Sequence, residues 1–182
     1  MKLALTSLLC AGLLLAGSGV RTASAQGSDA EVQVQMSEAR RHFEALEYEQ
    51  AVPSLDRALA MLQARPENDV RAMLAEALEL RARSRFGLGD QDGAKQDFVA
   101  LLKANPGYAM TGQVSPRVVA IFDEVKKTTV TTLKLSVTPP DATVLLDGAK
   151  TGASGDIAVL VGPHTLTASR TGYKTVRSHQ SA

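Results

Sequence analysis

The sequence predicts an α+β chain of two modules. The first is an N-terminal all-α set of helical-repeat hairpins; the second is a small C-terminal antiparallel β-sandwich. Three observations predict this layout. Up to Lys127 the chain is rich in Ala, Leu, Glu and Arg at a spacing near 3.6 residues. From Thr128 onward Thr, Val, Gly and Leu alternate with period 2 between turn-forming pairs. Within the first part, a block of residues recurs at a fixed offset, the mark of a repeat architecture. The expected division is a leader over 1–25, a helical repeat region over 26–127 and a β region over 128–182.

Residues 1–25 read as an address. Lys2 supplies a positive start, Leu3 to Ala16 is a largely apolar run, and Ala23-Ser24-Ala25 offers the small-x-small pattern that a signal peptidase accepts. The run is short of the roughly 20 residues needed to cross a bilayer. Export to the periplasm or cell surface, with cleavage near Ala25 and no transmembrane segment in the mature chain, is the expectation. Cleavage would remove Cys10, the single cysteine among 182 residues. A mature chain would then have no disulfide, thiol nucleophile or thiolate metal site.

Helix one is expected from Glu31 to Leu46, with Met36, Ala39, Phe43 and Leu46 as its apolar stripe. A second helix covers Glu49 to Ala64, with Pro53 tolerated near its first turn. After a break at Pro66, Asn68 or Asp69 is expected to cap a third helix that runs to Phe86 and stops at Gly87-Leu88-Gly89-Asp90. A fourth covers Gln91 to Ala104, and Ser115-Pro116 opens a short fifth helix to Lys127.

Ala39-Arg40-x-x-Phe43 returns as Ala82-Arg83-x-x-Phe86, an offset of 43; at the same offset Ala51 matches Ala94 and Leu55 matches Phe98. These residues resemble the tetratricopeptide repeat, with Ala82, Gly89, Ala94, Phe98 and Pro106 on that family's small, turn, small, bulky and terminal-proline positions. The first copy carries Ala39, Tyr48, Ala51, Leu55 and Ala58 but lacks the turn glycine, and the offset exceeds the family's 34. The resemblance implies two degenerate hairpins plus a capping helix, with the first helix of each pair lining a peptide groove.

Downstream, Leu133, Leu135 and Val137 alternate, as do Val144 and Leu146, then Ile157, Val159 and Val161, then Leu166 and Ala168. Turn chemistry separates them at Pro139-Pro140-Asp141, Asp147-Gly148, Gly152 to Gly155, Gly162-Pro163 and Thr171-Gly172. The string from Thr138 to Gly148, with Gly162-Pro163-His164-Thr165-Leu166 and Gly172-Tyr173-Lys174, resembles the PEGA domain, a bacterial envelope β-sandwich. The likeness covers about 131–177. Ser178 to Ala182 reads as a tail, so the β module is expected to be truncated or to have its open edge paired by another chain.

The composition argues against several functions. With 20 Lys+Arg against 19 Asp+Glu, no charge excess steers nucleic acid. Aromatic residues are 4% with no Trp, too few for a stacking platform. His42, His164 and His179 are scattered over a helix, a strand start and the tail, and His164 reads as a solvated turn residue. No enzyme, metal or cofactor is expected. The candidate site is the groove, where Arg40, Phe43, Glu79, Arg83 and Phe86 would hold an acidic or C-terminal peptide. The plainer expectation for the same residues is an Arg83–Glu79 pair at i, i+4 and two core phenylalanines. The function expected is non-catalytic protein–protein interaction or scaffolding in the envelope, with the β module as spacer or as contact to the wall or surface layer. Cell-wall carbohydrate binding, or a sensory or accessory role within a longer envelope protein, are the alternatives.

Overall fold

The computed structural model describes residues 20–65, 67–110 and 112–182. Most of the expected leader, with Cys10, lies outside the described residues. Five helices come first: α1 (Val20–Glu44), α2 (Tyr48–Gln63), α3 (Glu67–Gly87), α4 (Gln91–Ala104) and α5 (Pro116–Thr129). Six strands follow: β1 (Val130–Ser136), β2 (Thr143–Leu146), β3 (Ala149–Thr151), β4 (Ser154–Leu160), β5 (Pro163–Ser169) and β6 (Val176–Ser181). Among the described residues no helix is long and apolar enough to cross a membrane.

α1 is already helical at Val20, the first described residue, well ahead of the expected Glu31, and passes through Ala25. Nothing between Val20 and Glu44 stops it: there is no proline, and Gly27 costs only about 1 kcal/mol against helix propagation. α3 likewise starts at Glu67, so Asn68 and Asp69 fall in its first turn and not at the cap. First-turn N–H groups need no intrahelical acceptor, and acidic residues are favoured there. Pro53 sits in the second turn of α2, on an exposed face where water can take the carbonyl it leaves unpaired.

Consecutive helices pack antiparallel around one core built from Met36, Ala39, Leu55, Leu59, Leu62, Ala82, Phe98, Leu101 and Leu102, all nearly or fully buried. The residues related by the 43-residue offset land in equivalent places. Ala39 and Ala82, Ala51 and Ala94, and Leu55 and Phe98 are all fully buried. The turns repeat as well. α1 closes with Leu46 N–H donating to Phe43 O at 3.0 Å and Glu47 N–H to His42 O at 2.8 Å. α3 closes with Gly89 N–H to Phe86 O at 3.0 Å and Asp90 N–H to Arg85 O at 2.9 Å. Both are Schellman ends, which place one residue in the left-handed region. That residue is Gly89 (φ 84°) in the second hairpin and Leu46 (φ 61°) in the first. Leu46 is therefore not the last member of the α1 stripe: it leaves the helix and is 69% exposed.

α5 runs directly into β1. The strands form two antiparallel sheets, β1–β4 and β3–β2–β5–β6. The Asp147-Gly148 turn has φ of 50° and 84°, the two-residue type I′ geometry that joins β2 to β3. Leu135, Val144 and Val159 are the buried apolar residues of this region. Two strands escape the alternation pattern. β3 is three residues long, and β6 is almost wholly polar yet pairs with β5 from Pro163↔Ser181 to Ala168↔Val176. Residues read as a tail are thus strand, held by a backbone ladder that polar side chains do not obstruct. Val161, expected in a strand, lies in the β4–β5 turn and is exposed.

Candidate functional site

α1 and α3 stand side by side, and four of the five expected groove residues meet at their seam. Arg40 of α1 makes a two-pronged contact with Glu76 of α3, Nε to Oε1 at 2.6 Å and an Nη to Oε2 at 2.8 Å. That hydrogen-bonded carboxylate holds the Arg40 guanidinium charge more firmly than usual. Arg83 of α3 lies over the Phe43 ring of α1 at 4.7 Å, donates to Glu79 at 3.1 Å and reaches the Gln113 carbonyl at 3.3 Å. Phe43 also meets Tyr48 at 5.7 Å between ring centroids. Glu79 is buried, and it accepts a second hydrogen bond from the Tyr108 hydroxyl. Burial first, and the Glu79 carboxylate second, hold the Tyr108 hydroxyl above the usual tyrosine range. Phe86, one turn beyond Arg83, packs against the helical core.

The seam continues toward α5. Lys126 donates to the Tyr108 carbonyl at 2.8 Å, tying the α4–α5 connection to the last helix. Beside it lies a cavity of about 300 Å³ lined by Met110, Val114, Val119, Phe122, Asp123 and Lys126 among others. The result is a surface crossing α1, α3 and α5 whose cations are already engaged by the chain's own carboxylates, carbonyls and rings. Both expectations for Arg83 bear on this arrangement: it faces the seam, and it pairs with Glu79.

On the other side of α3 is a network that the sequence pattern did not single out. Asp97 of α4 is buried, with Arg81 at 2.6 Å and Arg85 at 2.9 Å, and Arg81 also binds Asp56 of α2 at 2.6 Å. Burial works to lower the Arg81 pKa, but the hydrogen bonds to Asp97 and Asp56 outweigh it and raise it. The i, i+4 spacing of Arg81 and Arg85 was visible. A partner twelve or sixteen residues away was not, because only the α3–α4 turn brings Asp97 to it.

His164 is buried, not solvated, and His179, expected in a tail, lies in β6. The His164 Nε2 sits 2.7 Å from the Leu160 carbonyl and its Nδ1 2.6 Å from Asp147 Oδ2. A carbonyl can only accept, so Nε2 carries a proton, and an ionised carboxylate at Nδ1 calls for a second. The Asp147 contact, then the Leu160 carbonyl, raise the imidazole pKa. Asp147 is held below the usual carboxylate range, by the Thr165 N–H at 2.8 Å and then by His164. In the same region, the exposed Tyr173 ring has the Arg170 guanidinium 4.9 Å over it. Among the described residues no cluster of three or more His, Cys, Asp or Glu is placed to hold a metal.

No protein-family model, no curated protein and no solved structure matches the chain.

Proposed function

We propose that this is an exported, non-catalytic envelope protein. Its two degenerate tetratricopeptide-like hairpins and capping helix would bind a protein or peptide partner, and its PEGA-like β-sandwich would serve as spacer or as contact to the wall or surface layer. The observation that carries the reading is the continuous α1–α3–α5 seam, laced by Arg40–Glu76, Arg83–Phe43 and Arg83–Gln113. Helical arrays of this kind expose a wide surface relative to their core, which suits them to binding extended segments. Arg40 and Arg83 would meet an acidic partner only by exchanging Glu76 and Glu79 for its carboxylates, so affinity should fall as ionic strength rises.

The test is photo-crosslinking of the full chain in the cells that make it. A photoreactive side chain would replace the exposed Ser37 or Glu44 on the seam side of α1, or Gln96 on α4. The expected result is a discrete adduct from the α1 positions and none from Gln96. Equal, diffuse labelling from all three would overturn the reading.

A further inference from the structure

We propose that the α4–α5 connection is a strap laid along the α1–α3–α5 seam, and that a partner reaches Arg83 and Glu79 only when this strap lifts away. The seam is here the binding face, as proposed above, and the strap is what regulates it.

The connection is longer than its linking role requires. The α1–α2, α2–α3 and α3–α4 connections have three residues each, whereas eleven, 105–115, separate α4 from α5. α4 and α5 run antiparallel, with Phe98 on Phe122 at 5.4 Å and Lys95 on Glu124 at 2.9 Å. Ala104 and Pro116 therefore lie at the same end of the pair. Packed helices stand about 8–10 Å apart, a gap that roughly three residues can cross. The chain instead makes an excursion. The Tyr108 carbonyl meets Lys126, ten residues or about 15 Å of helix beyond Pro116. Long connections of this kind in compact domains commonly serve as lids or binding loops.

Two of the five groove residues hold the excursion down. Glu79 accepts from the Tyr108 hydroxyl, and Arg83 donates to the Gln113 carbonyl at 3.3 Å. Lys126 supplies the third tie, at 2.8 Å. Tyr108, Met110 and Val114 pack against the helical core, and the Tyr108 ring stands edge-on to Phe122 at 6.5 Å. Gly107 and Ala109, which alternate with them, are exposed. The effect on the seam is uneven. Arg40 and Glu76 side chains keep 37% and 42% of their exposure, whereas Arg83 and Glu79, where the strap crosses, keep 21% and 9%.

The strap thus offers the seam what a bound segment would. It brings an inward aromatic with a hydroxyl for Glu79, an apolar side chain two residues on, and main-chain carbonyls for Lys126 and Arg83. A partner that takes this half of the seam is an extended segment of the same chemistry. Lifting the strap leaves the helices intact, because the bonds that close them, Asn105 N–H to Leu101 O and Val119 N–H to Ser115 O, lie at its fixed ends. Three polar ties and three half-buried side chains make it a low-stability element beside fully buried helix contacts.

The experiment is labelling with a bulky maleimide on the full chain with Cys10→Ser, carrying either Met110→Cys on the strap or Ser84→Cys in the buried core. Rates are compared with those in urea. The Met110→Cys thiol should be protected, and Tyr108→Phe should speed its labelling about 10- to 100-fold, the value of a hydrogen bond to a charged group. The Ser84→Cys thiol should stay protected in both backgrounds. Lys126→Met, which removes the tie to the Tyr108 carbonyl, should act in the same direction and serves if Tyr108→Phe does not fold. A Met110→Cys thiol that labels at the urea rate, or only in step with Ser84→Cys, would overturn the strap. The second readout is the seam adduct from a photoreactive side chain at Glu44, which should grow several-fold in Tyr108→Phe. Equal adducts from both chains, with the thiol released, overturn the gating alone. No adduct from either chain overturns the binding reading and the gating with it.

Discussion

The link between His164 and Asp147 allows a stability prediction with a definite sign. His164 ties the β4–β5 turn, through Leu160 O, to the β2–β3 turn, through Asp147. Because its pKa is raised on folding, its contribution is complete below the unfolded histidine value, near 6.5, and is lost as pH rises through the higher native value. Asp147 runs the opposite way. Its pKa is lowered on folding, so its contribution is complete above the unfolded value of 3.8 and is lost as pH falls through the native one. Both are present together from about pH 4 to 6.5, and above that window the histidine share drains away.

A buried charge-assisted hydrogen bond contributes about 1.5–3 kcal/mol. Asp147 is half exposed, so solvent screens the pair and about 1–2 kcal/mol is the reasonable figure. That corresponds to roughly a 5- to 30-fold change in an opening equilibrium. The assay is amide exchange by NMR at Thr165, whose N–H donates to the same carboxylate, and at Leu166 beside it. After division by intrinsic rates, protection at these amides should fall by that factor between pH 6 and pH 9, while core amides of α4 stay level. In His164→Gln, which keeps a polar group in the site but cannot titrate, the pH slope should vanish. A slope that survives in His164→Gln, or protection independent of pH in the wild type, would refute the reasoning.

The helical region offers further tests. Leu46→Gly relieves a left-handed leucine that is largely exposed, and should raise stability by up to about 1 kcal/mol once the unfolded-chain entropy of glycine is offset. Gly89→Ala, in open space at φ 84°, should cost about 1–2 kcal/mol through backbone strain alone. Both are read from thermal unfolding at 222 nm, with shifts of about 2–4 °C per kcal/mol. Gly87→Ala, which in an ordinary helix would be favourable, should instead destabilise by about 1–3 kcal/mol, because the new methyl would run into the Tyr48 ring. Asp97→Ala should cost about 3 kcal/mol or more by leaving Arg81 and Arg85 without their shared counter-ion. Adding Arg81→Met and Arg85→Met should recover much of that loss in urea unfolding.

What the sequence made legible was whatever is encoded within a turn or two of the chain. The helices of the repeat follow from apolar spacing, and the equal burial of Ala39 with Ala82 and Leu55 with Phe98 follows from the offset. The type I′ turn follows from Asp147-Gly148. The Arg83–Glu79 contact was readable because i, i+4 neighbours meet on any helix. Arg40–Glu76 was not, since the separation of 36 residues carries no local signal. β6 was invisible for a different reason: period-2 reading detects buried faces, and a polar edge strand buries little. His164 misled because a histidine at a strand start looks solvated until the carbonyl and carboxylate that enclose it are brought in by two separate turns.

The long-range arginine contacts among these also explain how the helices hold together. The chain has few aromatics, and small Ala residues line the helix contacts, so each interface buries little apolar area per residue. Arginine chains then cross the layers. Arg40 joins α1 to α3, Arg81 joins α2 to α3 and α4, and Arg83 joins α1 to the α4–α5 connection. Half-exposed pairs such as Arg40–Glu76 add at most about 1 kcal/mol each, whereas the buried Asp97 group would be costly to break. The two sides of α3 therefore differ in kind. Around Asp97 the ties are sequestered and fix the packing. On the seam side the Arg40–Glu76 pair is open to water while Arg83–Glu79 is enclosed, so a partner's carboxylates could exchange with Glu76 at small cost. That difference, and not the number of arginines, is why the seam is the face on which binding is proposed.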